Sequence, residues 1–130
     1  MWNILIAEDD LETCEYLTKS LNKTAHCTVV HNGEEAVAAY QDSIKSNKPF
    51  DFILLDVNMP IMDGFETLKT IREKELETAA EEIFIIMITT YDNPLMDKLN
   101  MGWDDFITKP VDIDILIRHM QKLTGNVAVD

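Results

Sequence analysis

A chain of 130 residues carrying 11 basic and 24 acidic side chains, a net charge of −13, fits one domain rather than two. Its 46% apolar and 27% charged residues exclude a disordered chain, and its acidity excludes direct binding of nucleic acid or of an anionic membrane. No apolar run is long enough to span a bilayer. The start Met1-Trp2-Asn3-Ile4 lacks the basic region and cleavage site of a secretory leader, so none is expected.

Residues 2–7 form the first continuous apolar run. Runs of this length, rich in Ile, Leu and Val, read as strands buried on both faces. Asp10 is placed to cap a first helix whose apolar face is Leu11, Cys14, Leu17 and Leu21. A second strand is expected over 27–30, then the turn Asn32-Gly33 and a helix bearing Ala36, Val37, Tyr40 and Ile44. The polar stretch 43–49 reads as a loop. A third strand over 52–55 leads through Asp63-Gly64 to a helix with Phe65, Leu68 and Ile71 inward. The acidic stretch 73–82 reads as a frayed, solvated helix end and loop. A fourth strand covers 83–88, and Asn93-Pro94 opens a short helix over roughly 94–101 that Gly102 closes. Phe106-Ile107 marks a short fifth strand. Asp112 caps a last helix whose apolar face is Ile113, Leu116, Ile117 and Met120. Strand and helix thus alternate, which predicts an open α/β sheet of parallel strands, joined by right-handed crossovers, with helices on both faces.

In such sheets ligands bind beyond the carboxyl ends of the strands. Glu8, Asp9 and Asp10 follow the first strand there, Asp56 and Asn58 the third, Thr89 and Thr90 the fourth, and Thr108, Lys109 and Pro110 the fifth. Carboxylates this close repel one another and raise their own pKa values. A hard divalent cation with oxygen ligands offsets that repulsion; Mg²⁺ commonly takes one or two carboxylates and keeps waters that a phosphoryl oxygen can replace. A carboxylate in such a site can also be a nucleophile that forms an aspartyl-phosphate, with a lysine and a hydroxyl neutralising the transferred oxygens.

Four segments in order, Ile4-Leu5-Ile6-Ala7-Glu8-Asp9-Asp10, 51–64 with Leu54-Leu55-Asp56-Val57-Asn58-Met59-Pro60 at its centre, Ile88-Thr89 and 104–110, identify a resemblance over essentially the whole chain. The chain resembles the receiver domain of two-component response regulators. The resemblance implies a flavodoxin-like (βα)5 fold, a doubly wound five-stranded parallel sheet of strand order 2-1-3-4-5. It implies one receiver domain over residues 1–124, with 125–130 as a tail. Asp56 then corresponds to the phosphoryl acceptor, supplied by a histidine kinase or a histidine phosphotransfer protein. Glu8 and Asp9 correspond to the acidic pair, with Asp9 and Asp56 binding Mg²⁺ directly and Asn58 lending its backbone carbonyl; the Asn58 side chain stands where dephosphorylation is tuned. Thr89 corresponds to the switch hydroxyl, Phe106 to the aromatic switch residue and Lys109 to the phosphate-binding lysine. The Lys109–Pro110 peptide is expected to be cis. An output protein or domain and phosphorylation-dependent dimerisation are further expectations, with Leu95, Met96, Trp103 and Ile115 on the face that changes. Thr90 and Trp103 depart from the small residues usual at their positions, and the helix over 94–101 is shorter than usual for the family.

Other readings compete. A Mg²⁺-dependent phosphatase of the haloacid-dehalogenase type also uses a strand-end aspartate, but it needs a second acid where Asn58 stands, and this chain has no length for a cap domain. A flavodoxin-like cofactor module needs a phosphate loop where Glu8, Asp9 and Asp10 stand. A calcium loop opening at Asp56 fails because Ile61 occupies the position that requires glycine. The expectation is therefore a switch and not an enzyme acting on an external substrate, apart from its own phosphorylation and dephosphorylation. Cys14 and Cys27 show no metal or redox spacing and read as small core residues, which favours a reduced, cytoplasmic setting. His26, His31 and His119 are scattered and read as surface or turn residues. Only 124–130 follow Leu123, so the expectation is a free-standing receiver or a piece of a larger chain.

Overall fold

The computed structural model describes residues 1–90 and 102–125. The expected helix over 94–101, with Leu95 and Met96, lies outside the described residues. Five strands, β1 (Trp2–Ala7), β2 (Ala25–Val30), β3 (Phe52–Asp56), β4 (Phe84–Thr89) and β5 (Asp105–Thr108), form one parallel sheet in the order β2-β1-β3-β4-β5. Four helices among the described residues, α1 (Leu11–Leu21), α2 (Gly33–Lys45), α3 (Gly64–Thr78) and α4 (Ile113–Thr124), cover its two faces. This is the doubly wound, flavodoxin-like α/β fold. None of these helices is long and apolar enough to cross a membrane.

The two-residue period of the strands divides the core. Leu5, Ala7, Ile53, Leu55, Ile85 and Met87 point to one face and pack with Ala36 and Tyr40 of α2 and Leu68 and Ile71 of α3. Ile4, Ile6, Phe52, Leu54, Ile86 and Ile88 point to the other, against Leu17 and Leu21 of α1 and Leu116 and Met120 of α4. Burial on both faces holds for the inner strands, where every residue of β3 is buried. It does not hold for the edges: β2 and β5 are half-covered, and Cys27 is only partly buried. Asp10, Asn32, Asp63 and Asp112 cap the four helices, each side chain accepting from a backbone N–H in the first turn.

Two stretches, one expected as loop and one as a frayed helix end and loop, are more ordered. α2 runs on to Lys45, because Ser43 is buried and its Oγ donates to the Tyr40 carbonyl at 2.6 Å. α3 runs on to Thr78 through the acidic segment, because Glu75 is not solvated; it is 3% exposed and paired with Arg72. Trp103, expected on the face that changes, is buried and packs against Phe65 of α3 with ring centroids 6.2 Å apart. Ile115 is exposed, as expected for that face.

Candidate functional site

The strand order sets β1 and β3 side by side in the sheet with β4 and β5 beyond them, so residues at their carboxyl ends converge. The chain leaves β1 with Glu8, whose N–H still donates to Val30 of β2 at 3.0 Å. That keeps Glu8 over the sheet, where its side chain has no solvent exposure. Two further groups grip its carbonyl: Cys14 Sγ donates at 3.3 Å, and His31 Nδ1 lies at 3.0 Å. His31 is therefore more than a turn residue.

Asp56 closes β3 and is 1% exposed. Past it, Val57 N–H donates to Ile88 at 2.9 Å and Gly64 N–H donates back to Val57 at 2.8 Å, folding the loop tightly under α3. A Cβ on Gly64 would sit 2.4 Å from the Asp56 carbonyl, so a glycine is required where α3 meets this loop. The loop also holds Ile61 at φ +72° with its side chain 70% exposed, a strained conformation for a β-branched residue. Asn58 is exposed, and its N–H donates to Asp56 Oδ1 at 3.2 Å.

Lys109 arrives from β5, where its N–H donates to the Thr89 carbonyl at 2.7 Å, and the Lys109–Pro110 peptide is cis. Its ammonium lies 3.3 Å from Asp56 Oδ2 and 3.0 Å from Glu8 Oε1. The second contact is a close ion pair without hydrogen-bond alignment, so Glu8 Oε1 is buried and lacks a hydrogen-bond donor. One cation thus serves two buried carboxylates. Burial, then the adjoining Asp56 carboxylate, push Glu8 from its ordinary 4.5 up to about 7, with Lys109 opposing. Burial pulls Lys109 down, but contact with Glu8 and Asp56 more than offsets this, so its ammonium is held above the ordinary value. Asp9 is exposed beside this pair, and Glu8, Asp9 and Asp56 each offer an oxygen within 4.8 Å of the others. Three hard oxygen donors, one of them buried and lacking a donor, suit Mg²⁺.

The remaining predicted residues stand further out. Thr89 is buried, but its Oγ donates only weakly, at 3.4 Å, to the Thr90 carbonyl rather than to the acid cluster. Thr90 is exposed. Phe106 is half-buried at the edge of the core. Asp10 caps α1, and its pKa is lowered, first by hydrogen bonding to Thr13. A cleft of about 630 Å³ opens beside Lys109, lined by Asp10, Thr13 and Tyr16 of the α1 side and by Pro110 and Val111. Leu11 and Tyr16 stand exposed on α1.

A family model for the response regulator receiver domain matches residues 4–121. Among curated relatives, hybrid signal transduction histidine kinase L of Dictyostelium discoideum is 34% identical over 83% of this chain and 6% of its own length. The transcriptional regulatory protein PcoR of Escherichia coli is 31% identical over 95% of this chain and 51% of its own. This chain therefore spans about half of one relative and a small part of the other. Among solved structures, the CheX–CheY–BeF3–Mg²⁺ complex from Borrelia burgdorferi contains a chain of the same fold, with a TM-score of 0.78 and 28% identity, covering 95% of this chain and 89% of that one.

Proposed function

We propose that this chain, which belongs to the response regulator receiver domain family of two-component signalling, accepts a phosphoryl group on Asp56 and converts it into a change of partner-binding surface. The observation that carries this reading is the placing of Asp56: buried at a strand end, 3.3 Å from the ammonium of Lys109, inside a cluster of three carboxylates. A merely structural aspartate needs no second buried acid beside it.

The donor in this reading is a phosphohistidine of a histidine kinase or a histidine phosphotransfer protein. One Asp56 carboxylate oxygen forms the new bond to phosphorus, the phosphorus–nitrogen bond breaks, and the imidazole nitrogen leaves with the electron pair. The cleft beside Lys109 gives the donor its approach, and the exposed Tyr16 on its α1 side offers apolar footing. Lys109, relieved of its contact with the Asp56 carboxylate, pairs with a phosphoryl oxygen instead. Glu8, Asp9, Asp56 and the carbonyl of Asn58 would hold Mg²⁺, which when bound neutralises charge on the phosphoryl oxygens. The Mg²⁺ complex of the Borrelia relative supports this assignment. The weakly held hydroxyl of Thr89 has little to lose by turning toward the phosphoryl group, and half-buried Phe106 on the adjoining strand can follow. The neighbouring face, with Ile115 exposed, is then where an output partner or a second copy reads the state.

Incubation with a small phosphodonor and Mg²⁺ should add one phosphoryl group, seen as a single mass increment, and Asp56→Asn should add none. Full labelling of Asp56→Asn would overturn the assignment.

A further inference from the structure

Outside the acid cluster, the densest set of charged contacts among the described residues surrounds Arg72 on α3, whose side chain is 16% exposed. Its Nη1 donates to Glu75 Oε1 at 2.8 Å and to the Ile83 carbonyl at 2.8 Å. Its Nε donates to the Gly102 carbonyl at 2.9 Å and its Nη2 to Asp104 Oδ2 at 3.0 Å. Asp104 in turn is bound twice to one residue of β4: its carboxylate accepts from Ile85 N–H at 2.8 Å, and its own N–H donates to the Ile85 carbonyl at 2.9 Å.

A plain helix-end ion pair would need only Glu75. Here two arms of the guanidinium reach past it, to the residues on either side of Trp103, immediately before β5. That strand is only four residues long, lies at the sheet edge and pairs with β4 alone; Ile107 is its one buried residue. Burial specifies register weakly in such a strand, and a slip of one residue turns every side chain to the other face. It would also carry the following residue about 3.3 Å along the sheet. The following residue is Lys109, and its reach to Asp56 and Glu8 depends on the pairing of Thr108 with Thr89.

We infer that Arg72 is a positioning residue for Lys109: by holding Gly102 and Asp104 it sets the register of β5 on β4, and so the place of the ammonium at the far end of the strand. The inference rests on the proposed role of Asp56. Planarity matters, because a guanidinium can address Glu75, Gly102 and Asp104 together where a single ammonium cannot.

The test uses the whole chain and a small phosphodonor, well below the thermal midpoint of every variant. Arg72→Gln should lower the saturated rate of Asp56 labelling about tenfold, in line with the cost of small misplacements at reacting centres. The Mg²⁺ concentration for half-saturation should not rise and should fall if anything, since a displaced ammonium no longer competes for Glu8 and Asp56. Because Arg72→Gln leaves buried Glu75 without its counter-charge and could fail to fold, Asp104→Ala is measured beside it; that variant keeps the Arg72–Glu75 pair and should show the same loss of rate. Arg72→Lys should restore the thermal midpoint but not the rate. Wild-type rates in Asp104→Ala, or midpoint and rate recovering together in Arg72→Lys, would reduce the cluster to a stabilising one and overturn the inference. Failure of the wild type to label, or equal labelling of Asp56→Asn, would instead fault the proposed function.

Discussion

Glu8 has no solvent exposure and shares one ammonium with Asp56, so replacing it by glutamine removes an ionisation that the fold opposes. A carboxyl whose folded value lies above its unfolded one holds its proton better in the native state. Its contribution to stability is fully present below about 4.5 and is lost as pH rises through about 7. At about 1.4 kcal/mol per pH unit, that displacement corresponds to about 3 kcal/mol. Wild type and Glu8→Gln should therefore be compared by urea unfolding from pH 4.5 to 8 at constant ionic strength, with a chelator present. The wild type should lose about 3 kcal/mol relative to the variant across this range, most of it between pH 5 and 7. Groups such as Asp10, whose pKa is lowered by Thr13, titrate in both proteins and cancel in the difference. Parallel pH profiles for the two proteins would refute the reasoning, since they would mean that Glu8 is ionised in the folded state at no cost. Saturating Mg²⁺ should flatten the difference by stabilising the ionised form.

Two other outcomes follow from the same region. Asp9→Asn should raise the thermal midpoint without metal, by relieving repulsion among Glu8, Asp9 and Asp56, and should weaken the upward shift on adding Mg²⁺. For the wild type that shift corresponds to about 2.7 kcal/mol at a hundredfold excess over Kd; a variant that is less stable without metal and still gains fully would show Asp9 to be structural. Ile61→Gly should stabilise the fold by up to about 1 kcal/mol, since an exposed β-branched residue at positive φ carries strain and its side chain buries little; a lower urea midpoint would contradict this.

Much of the sheet is legible in the chain because its inner strands are buried on both faces. Residues 2–7, 52–55 and 83–88 announce themselves as apolar runs, and the acids and lysine just beyond them or beyond the fifth strand mark the site edge. The capping aspartates are equally local signals. What escaped local reading depends on partners far along the chain. Glu75 looks like one more solvated acid until Arg72 and the Ile83 N–H enclose it. Trp103 looks like a bulky residue out of place until α3 brings Phe65 against it. Read locally, the acidic stretch is a frayed helix end, and nothing in it signals the contacts of Arg72 with Gly102 and Asp104. No residue pattern forecasts the left-handed backbone of Ile61, since it arises from the closure of the loop under α3. The Thr89 hydroxyl was expected by its position at a strand end, but which acceptor it chooses is a matter of rotamer and not of sequence.

Locating the phosphoryl group chemically is the most direct test of the central claim. An acyl phosphate on a carboxylate is reduced by borohydride to an alcohol, which converts a phosphorylated aspartate into homoserine. After reaction with a small phosphodonor and Mg²⁺, reduction and peptide mass analysis should find homoserine at position 56 and at no other acidic residue, and omission of Mg²⁺ should suppress it. Homoserine at position 9, or 2-amino-5-hydroxypentanoic acid (the alcohol from a reduced glutamyl phosphate) at position 8, in place of homoserine at 56, or phosphate surviving reduction on a hydroxyl or imidazole, would contradict the account.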